Sequence, residues 1–282
     1  MRVLAVLALA AVALAGAVVS LYPLEWVLAL AGAGLAYGAL SPLLHARRLL
    51  FMAGAAPHAA LAAASLGATL GAWGFDPVVS GLVMGLAFIY TAGYAVYRGV
   101  DPDTAASLLA GFTASLGVAG LYLASSLGVQ VSGIIIGDPL LASTRESMLV
   151  LALGLTVLTI MLWAGDVMAY IGVDRDDAAL SGARVWVYDG VLYTLIAVLT
   201  VGLIGVVGFI LEHVLLLIPG ALVLPLSRGV RPSTLAGGLV GLIAGLGGLL
   251  LGGATGLPPA AVSGLILMAG YSLVLLGGGR GG

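Results

Sequence analysis

Residues 187–227 read VYDGVLYTLIAVLTVGLIGVVGFILEHVLLLIPGALVLPLS, a long apolar run with no polar loop. A helix crosses the hydrocarbon of a bilayer in about 20 apolar residues, so this run holds two spans' worth of chain. Two arrangements fit: two crossings joined tightly at Gly202, Gly205 and Gly208, or one crossing followed by a re-entrant segment. The rest of the chain has the same character. Of its 282 residues 62% are apolar and 8% charged, against about a quarter charged in a soluble domain, and mean hydropathy is +1.22. A water-soluble core cannot use this much apolar surface, because polar groups must still cover the outside; a bilayer removes that requirement. The fold class that follows is all-α, a polytopic transmembrane bundle, read as one domain over 1–282.

Outward from 187–227, spans are expected near 3–20, 24–44, 54–73, 78–97, 104–127, 147–170, 187–205, 207–227, 233–254 and 259–277. Short connections rich in Gly, Pro and Asp separate most of them. Residues 3–20 are longer than the apolar core of a secretory signal, about 7–15 residues, and are expected to be a retained helix. The arginines arbitrate the count. With ten spans and a cytoplasmic N-terminus, Arg2, Arg47, Arg48, Arg98, Arg175, Arg184, Arg228, Arg231 and Arg280 fall inside and Arg145 alone outside, the asymmetry expected of a membrane protein. Making 187–227 a single crossing would move the last three outside. The expectation is therefore ten spans in the inner membrane with both ends cytoplasmic. Glu25, Asp76, Asp138 and Glu146 then lie at the outer face, either as plain loop solvation or as a negative mouth that concentrates cations.

Several classes drop out. The chain has no Cys, so thiolate metal sites and disulfides are excluded. All ten basic residues are Arg, with no basic tract for nucleic acid. Forty-four Gly point to close helix packing.

The most charged loop is 171–186. Asp174 reads as an N-cap, Asp176 and Asp177 follow in the first turn where carboxylates favour the helix dipole, and Gly182 fits the left-handed stop. So short a helix is unstable alone; the bundle or a partner protein must hold it.

At this point the sequence resembles the membrane subunit of manganese/zinc/iron-type ABC importers. Three collinear stretches carry the resemblance: Arg47-Arg48 leading to Ala55-Ala56-Pro57-His58-Ala59; Asp174-Arg175-Asp176-Asp177-Ala178-Ala179-Leu180-Ser181-Gly182; and Val207-Gly208-Phe209-Ile210-Leu211 running into Leu217-Ile218-Pro219-Gly220-Ala221. They cover about 24–227; residues 1–20 look like an added helix. The resemblance implies a type II importer permease: a homodimer in membrane lipid, two cytoplasmic ATPase subunits, an external metal-binding receptor, no permanently bound cofactor, and a divalent metal ion as cargo. It implies that 171–186 is the coupling loop, with Asp174, Arg175, Asp176, Asp177, Ala178, Ser181 and Gly182 facing an ATPase. A chain without Lys cannot carry a Walker motif, so ATP chemistry belongs to another chain and this one is not an enzyme.

The chain departs from the family pattern where an Asp stands four residues before the His; here it is Gly54. Ionisable groups at membrane depth are costly and mark function. Those here are His58, Asp166, Asp189 and Glu212-His213. Asp166 and Asp189 sit near the inner boundary, where headgroups or Arg184 can balance them. Glu212, His213 and His58 are candidates for a transient metal site replacing the one lost at Gly54, since carboxylate and imidazole suit Zn²⁺, Mn²⁺ or Fe²⁺; the plain alternative is an interhelical bond that locks packing. Pro57, Gly208 and Pro219 are candidate breaks or hinges. Competing functions are a permease for cobalamin, haem or a siderophore, a secondary cation transporter, which would carry more paired carboxylates, and an intramembrane metalloenzyme, whose His-Glu-x-x-His signature is absent.

Overall fold

The computed structural model of the chain describes residues 2–137 and 139–278; Asp138 and Arg280, expected at the outer and inner faces, lie outside them. The helices are α1 Arg2–Val19, α2 Leu24–Ala46, α3 Leu50–Gly71, α4 Pro77–Tyr97, α5 Pro102–Ser126, the short α6 Ser132–Ile136, α7 Thr144–Val173, the short α8 Arg175–Leu180, α9 Val185–Val223, α10 Val230–Thr255 and α11 Pro259–Gly278. Eight of them are long and apolar enough to cross a membrane; in α1 the apolar run Val3–Val19 is shorter. Local chemistry sets the starts. Asp76 caps α4 by accepting from the Val79 N–H at 2.9 Å, Asp101 caps α5 by accepting from Thr104 at 2.9 Å, and each precedes a proline in the first turn, where the missing N–H is harmless. Ser143 and Glu146 form a capping box on α7, satisfying two orphan donors reciprocally.

At the centre lies α2, of whose apolar window 83% is buried. It touches α10 almost backbone to backbone: Gly34 faces Gly241 and Gly38 faces Gly237, so closely that a Cβ at any of the four would meet the other helix's carbonyl. Small residues one turn apart on both helices permit this approach, and dispersion over the close seam supplies what water expulsion cannot supply in lipid. On another side Gly32 of α2 meets Leu151 and Gly154 of α7.

The long helix α9 resolves the question posed by 187–227. In its first part, Asp189 meets Arg47 and the Leu199 carbonyl meets Tyr37, so it runs antiparallel to α2. Further on, Glu212 meets Tyr37, and both the Leu216 carbonyl and the Gly220 N–H meet Ser41, so it runs parallel to α2. The chain reverses between them, at Gly208, whose φ of 80° and ψ of 153° are non-helical. Gly202 and Gly205, expected to share the joint, lie in the first arm, 185–207. The second arm, 209–223, is about 22 Å long at 1.5 Å per residue, short of the roughly 30 Å hydrocarbon, so the reversal is buried in the bundle. There Gly208 packs on Gly137, itself at φ 74°, and a Cβ on either would strike the other segment's backbone.

With α9 counted as two arms, α1 to α11 without the short α6 and α8 make ten segments. Contacts such as Gly85 with Val201, Gly93 with Tyr193, Gly264 with Val214 and Leu14 with Gly247 fit alternating directions. Arg47, Arg48, Arg98, Arg175, Arg184, Arg228 and Arg231 gather at one end, as does the start of α1; Arg145 stands at the other. Helix α3 begins at Leu50, earlier than the expected 54, so Pro57 lies inside a continuous helix, as Pro219 does in the second arm. Neither breaks its helix, because in a packed bundle neighbours re-satisfy what proline frees. Beside Pro219, the Ser41 hydroxyl donates to the Leu216 carbonyl at 2.7 Å and accepts from the Gly220 N–H at 2.8 Å, tying this arm to α2.

Gly208→Ala is expected to destabilise the detergent-solubilised protein by about 2–3 kcal/mol, from a glycine-only backbone region plus collision with residues 136 and 137. Gly202→Ala, where nothing lies within 4 Å of the new methyl, should leave the thermal unfolding midpoint nearly unchanged.

Candidate functional site

The two groups of residues singled out from sequence lie at different depths. The first joins α3 to the second arm of α9 next to the Gly208 reversal. His58 and His213 lie edge to face with ring centroids 5.2 Å apart, and Phe209 sits 5.0 Å from His58 and 4.7 Å from His213. His213 Nδ1 is 2.9 Å from the Phe209 carbonyl. A carbonyl only accepts, so Nδ1 carries the hydrogen there, and the ring also hydrogen-bonds to the backbone at Gly54. Both histidines are half-buried. One turn before His58, Gly54 leaves open space, with nothing within 4 Å of where a Cβ would sit.

Glu212 does not join them. Successive residues of a helix point about 100° apart, and while His213 faces α3, the Glu212 carboxyl faces α2. It is fully buried, with Oε1 2.6 Å from the Tyr37 hydroxyl. Among the described residues no three His, Asp or Glu gather as metal ligands. The protein thus brings two imidazoles together near the open position at Gly54.

The second group is α8. Asp174 caps it, its Oδ1 accepting from the Asp177 N–H at 2.9 Å, and the Tyr170 hydroxyl of α7 donates to Asp177. At the other end the Ala183 N–H reaches the Ala178 carbonyl and the Gly182 N–H the Ala179 carbonyl, both at 3.0 Å, with Gly182 at φ 90°. This is the paired-bond stop that a left-handed glycine permits. Only Ala178 of α8 is buried. Leu180 is 87% exposed, and Val173 and Trp186 on either side are likewise exposed.

What fixes so bare a helix is a charge cluster beneath it. Asp189 accepts from Arg47 at 2.6 Å and from Arg175 of α8 at 2.8 Å, and Arg47 also donates to the Met168 carbonyl. The expected partner Arg184 is not the one used: α8 turns Arg175 inward over the start of α9, and the end of α2 delivers Arg47. Asp166 pairs with Arg231 at 3.0 Å, half-exposed. The roles of Arg47 and Tyr37 were not read from sequence. Arg47 enters the sequence reading as one charge among the arginines and as part of the Arg47-Arg48 pair, neither of which points to Asp189, and a tyrosine in an apolar helix carries no signal of its partner.

Alternating apolar segments, imidazoles at mid-depth and a bare capped helix at the arginine-rich end define a multi-pass membrane protein of transporter type. The chain belongs to the ABC 3 transport family, whose sequence profile matches residues 20–277, leaving α1 before the match. It is 26% identical over 184 residues to a Thermotoga maritima protein described as a probable metal transport system membrane protein, an alignment covering 65% of this chain and 64% of that one. In fold it is similar to a chain of PsaBC from Streptococcus pneumoniae, solved in complex with Fab, at TM-score 0.76 with 20% identity over 88% of this chain and 89% of that one. It is also similar to a chain of a metal-chelate type ABC transporter in an inward-facing conformation, at 0.72 with 14% identity over 98% and 99%.

Asp189→Asn leaves Arg47, whose side chain is 6% exposed, without its counter-charge. The expected loss is about 3–5 kcal/mol, the cost of orphaning a buried charge, read as a lower unfolding midpoint. Arg175→Ala, at a side chain 47% exposed, should cost less than about 1 kcal/mol.

Proposed function

We propose that this chain is the membrane-spanning subunit of an ATP-driven importer of divalent metal ions. It works as a homodimer with two ATP-hydrolysing subunits at the arginine-rich, cytoplasmic end and a metal-delivering receptor at the other. The observation that carries the reading is α8: a capped acidic helix with an exposed leucine, anchored to two transmembrane segments through Asp189. Exposed apolar side chains on a rigid short helix suit a protein partner better than water, and the ion pairs pass a push on α8 directly to α2 and α9. Asp174, Arg175, Asp176, Asp177, Ala178, Ser181 and Gly182 form this coupling unit.

His58 and His213 are the cargo contacts. Imidazole nitrogen binds late first-row divalent ions, and two donors per chain hold an ion loosely enough to release it. The fold similarity to a metal-chelate transporter supports a second reading, with a metal complex as cargo. A bare-ion importer needs the imidazoles and a chelate importer needs a wide path, so the variants below separate the two.

Co-expression with the candidate ATPase should yield a stable complex, and Leu180→Glu should abolish co-purification while leaving the permease folded. In proteoliposomes, His58→Ala and His213→Ala should each weaken apparent metal affinity about tenfold or more, as loss of a metal-site group does. Unchanged uptake in both, with uptake of a chelated metal preserved, would move the assignment to the second reading.

A further inference from the structure

The chain has three histidines, and the site above uses two. The third, His45, is the next to last residue of α2, at the arginine-rich end. Its ring lies against Gly220 in the second arm of α9, so closely that a Cβ there would strike Nδ1 and Cε1. Gly220 follows His213 by seven residues, about 10 Å along the helix and within about 20° of the same face. The face of the arm that turns His213 toward His58 therefore meets His45 two turns further on. Because the arm runs parallel to α2, those two turns lead toward the arginine-rich end.

His45 is held in the way a ligating histidine is held. Its Nδ1 lies 3.0 Å from the Ser41 carbonyl oxygen, four residues earlier. The carbonyl only accepts, so Nδ1 carries the hydrogen. In protein metal sites such a bond fixes the ring and leaves the other nitrogen to ligate. His213 is oriented alike, by the Phe209 carbonyl four residues before it. His45 differs in making no second hydrogen bond among the described residues, and it is half-buried, so one side stays open. The neighbouring charges do not bar a cation. Arg47 is paired with Asp189 at 2.6 Å, and Arg48 is exposed, where salt screens it.

Resting on the reading of His58 and His213 as cargo contacts, we propose that His45 is a separate, release-side stop for the divalent ion. It is a single imidazole on the same face of the same arm, between the histidine pair and the inner surface. One nitrogen donor holds an ion more weakly than two, which suits a place the ion leaves. Imidazole favours late first-row ions such as Zn²⁺, whereas Mg²⁺ takes oxygen ligands.

The chain has no Cys, so His45→Cys places a single thiol at this position, and a thiolate also ligates Zn²⁺. In the full-length protein in lipid nanodiscs, Zn²⁺ at ten times its dissociation constant should slow alkylation of that thiol about tenfold, because bound metal masks it. Ala46→Cys, about 100° round the helix, should react equally fast with and without Zn²⁺. Protection at both positions, or at neither, overturns the inference. In the ATPase-bound transporter, His45→Gln keeps an N–H for the Ser41 carbonyl and removes the imidazole. It should lower the maximal rate of Zn²⁺ uptake with the half-saturating concentration nearly unchanged, whereas His58→Ala and His213→Ala raise that concentration. Uptake untouched by His45→Gln but weakened by the other two removes the release stop and leaves the importer reading standing; uptake untouched by all three removes both. If His45→Cys does not fold, the His45→Gln rate alone decides: a loss at an unchanged unfolding midpoint supports the stop, and any other result refutes it.

Discussion

Inside a bilayer every backbone N–H and C=O must find its partner within the protein, and α9 meets that demand at its hardest point. A chain that turns back before reaching the far surface cannot use water to complete its hydrogen bonds. One residue in a glycine-only conformation, Gly208 at φ 80°, makes the reversal short enough that helical bonding resumes on both sides. Gly137 covers the joint by direct backbone contact. The rest of the arrangement hangs from this turn. It sets the second arm parallel to α2, brings Glu212 and Leu199 to the same tyrosine, and places His213 against His58.

The turn also separates two chemistries that adjoin in sequence. Glu212 and His213 are neighbours, yet one belongs to a sealed polar chain and the other to a half-open aromatic cluster. Helix α8 and the histidines both touch α9, and α8 also reaches α2 through Asp189 and Arg47. Asp189, near its start, pairs with Arg175 of α8, and the same chain runs on past the reversal to Phe209 and His213. A short ionic anchor at one end and a tight turn at the other make the intervening arm a stiff strut.

Much of this was legible in the residues. Segment number followed from apolar run length, and the arginine asymmetry chose two arms over one for 187–227. The limits of α8 were readable because Asp174 and Gly182 act on their own backbone within four residues. What eluded reading was long-range. Asp189 pairs with Arg47, 142 residues earlier, and nothing local distinguishes that arginine from Arg184. Pro57 looked like a break, because proline's local effect is known while the packing that tolerates it is not. Glu212 looked like a partner of His213 because adjacency in sequence is visible and angular position toward other helices is not.

Ser41 carries a mechanical implication. Its hydroxyl bridges the Gly220 N–H and the Leu216 carbonyl, next to a proline that already lacks one donor. Swinging that hydroxyl aside would leave those two groups only each other. That exchange would trade two hydrogen bonds for one and leave a fully buried hydroxyl without a partner, which is costly. The bridge therefore acts as a staple between α2 and the short arm, close to the arginine-rich end, where proline leaves the helix's own bonding weakest.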